Sequence, residues 1–112
     1  FKNGLAVSYE KLGYTHSSLG NLPKALQFFE QQSALGQELH ADYPDNVGFK
    51  NGLAISYANL AHIASSKKEK IAWFHKAEGL WSELATSFPD YVQFQKFLEM
   101  VRGDLRDLGQ DN

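Results

Sequence analysis

The stretch Phe1-Lys2-Asn3-Gly4-Leu5-Ala6-Val7-Ser8-Tyr9 returns as Phe49-Lys50-Asn51-Gly52-Leu53-Ala54-Ile55-Ser56-Tyr57, with Val7 and Ile55 the single difference. The copies start 48 residues apart, and Phe94 opens a third, divergent copy 45 residues further on. Self-similarity at such a period marks a repeat array, in which each unit buries its apolar face against its neighbours and the stacked units share a functional surface. The 112 residues form one domain, with a first unit over 1–48, a second over 49–93 and a partial third unit or capping helix over 94–112.

Around this repeat the apolar spacing is helical. Leu5, Tyr9, Leu12, His16 and Leu19 recur every three or four residues, which places them on the inward side of a first helix. Asn21 is an N-cap with Pro23 in the first turn of a second helix, whose apolar residues are Ala25, Leu26, Phe29, Leu35 and Leu39. Tyr43-Pro44-Asp45-Asn46 ends it, because proline disfavours helix in the residue before it, and Asp45 or Asn46 caps the next helix. The second unit repeats the plan with Phe49, Leu53, Tyr57, Leu60 and Ala64, then a capping box at Ser66-Lys67-Lys68-Glu69, then Ile71, Phe74, Ala77, Leu80, Trp81 and Leu84. A fifth helix sets Phe94, Phe97, Leu98, Val101, Leu105 and Leu108 against Gln95, Lys96, Glu99, Arg102, Asp104 and Arg106, and Gly109 stops it.

No segment alternates with period two, so no sheet is expected, and short connections favour antiparallel hairpins. The predicted fold is all-α: a right-handed superhelical stack of two helical hairpins plus a C-terminal capping helix. Gly4 and Gly52 cost about 1 kcal/mol each relative to alanine inside a helix, and their retention in both copies predicts close approach of a neighbouring helix. In the third start Phe97 and Arg106 replace Gly52 and Ala61, which predicts a last helix packed on one side only.

Composition narrows the function. The net charge of −2 carries no lysine and arginine stripe, so no nucleic-acid partner is expected. No secretory signal and no unbroken apolar span points to a membrane. The lack of cysteine excludes thiol catalysis and disulfides and agrees with a cytoplasmic location. The chain opens at Phe1 without an initiator Met, inside a helical pattern, and so reads as a piece of a longer or processed protein.

The run Tyr9-x-x-Leu12-Gly13-x-x-His16, then Leu19-Gly20-Asn21-Leu22-x-x-Ala25-x-x-x-Phe29-Glu30, resembles the tetratricopeptide repeat, although both units exceed its usual period of about 34 residues. Lengthened versions, such as those of kinesin light chains and of the sensor arrays of bacterial signalling ATPases, are the more similar. Gln32 and Gln37 stand where that family places a later Ala and Pro, so the second helix runs on to about Tyr43. The second unit has Ala61 and Ala64 in place of Gly13 and His16.

The chain offers little for catalysis, and no enzyme activity or cofactor is expected. His16, His40, His62 and His75 form no metal-spaced pair; His16 packs at the family's Tyr position, His40 and His75 face solvent, and His62 is the one placed to meet a ligand. Glu78 and Glu83 read as solvated carboxylates, and Lys67, Lys68 and Lys70 as a basic knot at a helix start. What remains is a surface. At about 100° per residue, Asn3, Val7, Glu10 and Tyr14 share one side of the first helix. Asn51, Ile55, Ala58 and His62 follow in the second copy, and Lys96, Met100, Gly103 and Asp107 in the third. The resemblance implies that this side lines a concave peptide-binding groove. The Lys and Asn clamp by which some relatives hold a C-terminal carboxylate is missing, since Glu10, Ala58, Tyr14 and His62 occupy its positions.

The expected function is a non-catalytic interaction module that binds a partner protein or peptide. Asn3 and Asn51 would hydrogen-bond its backbone, and Val7, Ile55 and Met100 would receive its apolar side chains. A structural or oligomerising segment that self-associates through its open N-terminal face, or the regulatory sensor part of a larger signalling protein, are the alternatives.

Overall fold

A computed structural model describes residues 1–109 and, among them, five α-helices and no strand. They are α1 (Lys2–Ser18), α2 (Leu22–Asp42), α3 (Val47–Ile63), α4 (Lys67–Ser87) and α5 (Val92–Asp107). The last three residues of the third unit expected over 94–112 lie outside the described residues.

The helices stop where the chain supplies caps. Asn21, Asn46 and Ser66 each accept from a backbone N–H three residues on, at 3.4, 2.9 and 3.1 Å, and so start α2, α3 and α4. Gly20 and Gly109 have φ of 78° and 87°, which side chains with a Cβ rarely adopt. At Gly20 this lets the N–H groups of Gly20 and Asn21 reach back to Ser17 and His16 at 3.0 and 2.8 Å and close α1. Lys70, expected in a basic knot, instead donates from Nζ to the carbonyls of Ala61 and His62 at 3.2 and 2.8 Å, satisfying the C-terminal end of α3.

Connections this short fold each helix back on the one before. Lys2 at the start of α1 meets Glu38 and Asp42 at the end of α2, while His16 late in α1 stacks on Phe28 early in α2. Lys50 and Glu83, and Trp81 and Phe97, mark the same reversal between α3 and α4 and between α4 and α5. Packing is mainly between sequence neighbours, with α1 and α3 touching lightly. The slab measures 38 × 37 × 20 Å, about two helix diameters thick.

The core is lopsided. Ala54, Ala58 and Ala61 of α3, Phe74, Ala77, Trp81 and Leu84 of α4, and Phe94, Leu98, Val101 and Leu105 of α5 form one buried cluster. A smaller one joins Ala25 and Phe29 of α2 to Leu60 of α3. Of α1, Gly13 alone is buried. Leu5, Leu12 and Leu19, expected to face inward, are exposed, because α1 meets α2 through Tyr9, Gly13 and His16, and nothing covers its leucine side. Their equivalents in the copy show the difference: Leu5 and Leu12 are 44% and 42% exposed, Leu53 and Leu60 are 4% and 1%. Leu26 is also partly exposed.

The glycines that admit a close neighbour are Gly13 and Gly36, and not Gly4 or Gly52. A Cβ at Gly4 or Gly52 would meet nothing within 4 Å, whereas one at Gly13 would collide with the buried Phe29 ring and one at Gly36 would press on Leu53 at 3.3 Å. Gly13→Ala is therefore expected to cost about 1–3 kcal/mol through overpacking. Gly52→Ala is expected to gain about 0.5–1 kcal/mol from helix propensity. Parallel thermal melts check both signs.

Candidate protein-binding groove

Two recesses run along the side that α1, α3 and α5 share. The first, about 230 Å³, lies between α1, α2 and α3, with Asn3, Val7, Glu10, Asn51 and Ile55 on its rim and Gly36, Gly48 and Gly52 in its walls. Of these glycines Gly52, retained from copy to copy, faces open space and no helix. The second, about 510 Å³, continues from Glu10 and Ile55 past Tyr14, Ala58 and His62 to Met100, with Trp81 and Phe97 also in its lining. Nine of the ten expected groove residues thus line one or the other recess; Lys96 lines neither, and neither do Gly103 and Asp107.

Several of these side chains already have partners. Asn51, expected to offer its whole amide to a ligand, accepts from the indole N–H of the buried Trp81 through Oδ1 at 2.8 Å, which uses one of the two lone pairs of that oxygen and leaves its NH₂ for a partner. Replacing Asn51 by alanine would strand a buried donor, so this residue joins groove and core. Ile55, expected as a free apolar contact, packs partly against the α3–α5 cluster, while Val7 and Met100 remain exposed.

A polar network that sequence reasoning missed crosses the groove where the recesses meet. Asn59, buried on α3, donates from Nδ2 to Gln32 Oε1 of α2 at 3.3 Å and to Glu10 Oε2 of α1 at 3.5 Å. The Tyr14 hydroxyl lies 3.0 Å from Asn59 Oδ1 and 3.2 Å from Glu10 Oε2, and its single proton serves one of them at a time. Partial burial raises the Tyr14 pKa above its ordinary value, and the neighbouring Glu10 carboxylate raises it further. The clue in the sequence was Asn59 itself, a polar residue inside the apolar run Ala58-Asn59-Leu60-Ala61 where the first copy has Lys11. Gln32 of α2 completes the network of four.

His16 stacks on Phe28 and His62 sets its ring edge against Phe74 at 5.2 Å. His40, expected in solvent, is half-buried. Glu78 is well covered and holds Arg102 of α5 and His75 at 3.2 Å each, so it ties α4 to α5 and is not a free surface carboxylate. Among the described residues no three His, Asp or Glu converge as metal ligands, and no helix is long and apolar enough to cross a membrane. A separate apolar cleft of about 520 Å³, lined by Leu22, Leu26, Ile63 and Trp73, opens at the turn end of the first two hairpins; its Lys70 is already committed to α3 carbonyls. No protein-family model, no curated protein and no solved structure matches the chain.

Proposed function

We propose that the chain is a non-catalytic protein-interaction module: two lengthened tetratricopeptide-type hairpins and a capping helix in a right-handed stack, working in the cytoplasm and holding an extended segment of a partner protein. The observation that carries this is the pair of recesses that meet at Glu10 and Ile55 and line up side chains from α1, α3 and α5. Val7 and Met100 keep their apolar surface outward at either end, and the amides of Asn3 and Asn51 stand beside the first recess, which suits a ligand that offers alternate side chains and its backbone. So short a groove gives modest affinity, because ordering a flexible peptide offsets part of the contact energy.

The test uses peptides selected from a random display library on the full chain. The double variant Val7→Ser with Met100→Ser is expected to weaken them at least about tenfold, through loss of about 0.8 kcal/mol per uncovered methylene, with little change in melting temperature because both side chains are exposed. Glu30→Ala, on an exposed part of α2 outside both recesses, serves as control. Peptides that respond to Glu30→Ala and ignore the double variant would move the site off the groove. The self-associating alternative draws on a different observation, the bare leucine face of α1.

A further inference from the structure

We infer that the groove selects a partner segment carrying a lysine or arginine beside apolar residues, and that Glu10 is the residue that reads it. This rests on the groove proposed above. Glu10 is the one acidic or basic side chain, His62 apart, that lines either recess, and it lines both. None of the chain's eleven lysines and arginines lines either recess, and four of them are held elsewhere: Lys2 by Glu38 and Asp42, Lys50 by Glu83, Arg102 by Glu78, and Lys70 by helix carbonyls. No ion pair among the described residues involves Glu10.

The carboxylate is also held in place. Its Oε2 accepts from Asn59 Nδ2 and lies within reach of the Tyr14 hydroxyl, and Asn59 is fixed in turn by Gln32. Among the described residues no hydrogen bond engages Oε1, so a pre-set residue that lines both recesses keeps an acceptor in reserve. A charged donor arriving there forms the stronger type of hydrogen bond, and partial cover from water enhances it. Lysine and arginine fit for a second reason: their aliphatic stems can lie along Val7 and Ile55 while the head group reaches the carboxylate, with the half-exposed Tyr14 ring as a flanking face.

The experiment is the library selection above, repeated on wild type and on Glu10→Gln, a variant that keeps an oxygen acceptor for Asn59 and Tyr14; a thermal melt verifies that it folds. Wild type is expected to enrich peptides with a basic residue flanked by apolar ones. A synthetic copy of one such peptide should lose about tenfold in affinity either when its basic residue becomes norleucine or when Glu10 becomes Gln, and the two changes together should cost no more than one alone. Its binding to wild type should also fall with added salt. Groove-dependent peptides without basic enrichment, binding Glu10→Gln as tightly as wild type, would overturn the role of Glu10 and leave the groove standing. Peptides indifferent to Val7→Ser with Met100→Ser would remove the groove, and this inference with it.

Discussion

Deleting the chain from Asp90 onward is expected to abolish cooperative melting and cause association. Phe94, Leu98, Val101 and Leu105 of α5 are buried against Phe74, Ala77, Trp81 and Leu84 of α4, and Phe97 stacks on Trp81 at 5.0 Å. Burial of each such side chain stabilises by about 1.5–3 kcal/mol, so four of them approach the whole net stability of a small domain, about 5–15 kcal/mol. Releasing the chain entropy of α5 offsets part of this loss. The surface left behind would include Phe74, Trp81 and Leu84, all buried in the intact chain. The opposite face of α5 leaves Gln95, Glu99 and Arg106 exposed. Leu105→Ala is the milder version, expected to cost about 2–5 kcal/mol. Circular dichroism melts and light scattering read both; a truncated chain that melts with the parent and stays monomeric would make α5 an appendage.

Legibility followed whether the cause was local. Asn21, Asn46, Ser66 and Gly109 act through backbone groups within a few residues and set the helix ends as the sequence suggests, and Gly20, not singled out there, closes α1 in the same local way. The seam of α5 was equally plain, since one helix with one apolar side leaves a single way to bury it. Long-range matters were harder. Gly4 and Gly52 have the pattern of close-packing glycines, but whether a helix arrives over a glycine depends on the neighbour's path, and the neighbours arrive over Gly13 and Gly36. In the groove, helical phase was enough to gather residues on one side, and it said nothing of which amides were already spoken for. Trp81 engages the acceptor of Asn51 from 30 positions away, and Gln32 and Asn59 meet across two helices. Periodicity ranks both as ordinary polar residues.

The sharpest contrast available compares one substitution in the two copies. Leu12 and Leu60 occupy the same place in the repeat, yet Leu60 is buried against Ala25 and Phe29 while Leu12 looks outward from α1. Leu60→Asp puts a carboxylate into an apolar contact where the one cation of the adjoining cleft, Lys70, is already held by the carbonyls of Ala61 and His62, and is expected to cost more than about 4 kcal/mol and leave the chain largely unfolded. Leu12→Asp in a monomer is a surface change and is expected to stay within about 0.5 kcal/mol. Urea denaturation of both variants, with sedimentation of the parent at several concentrations, separates the two accounts of the N-terminal face. A monomeric parent and an unchanged Leu12→Asp midpoint mean that the leucine row is bare in solution. If instead the parent is a dimer, Leu12→Asp splits it and the midpoint falls toward that of Leu60→Asp, then a second copy covers Leu5, Leu12 and Leu19 much as α2 covers Leu53 and Leu60. The oligomerising role would then account for that face, while the groove, on the side of α1 that carries Val7 and Glu10, would remain open to a partner.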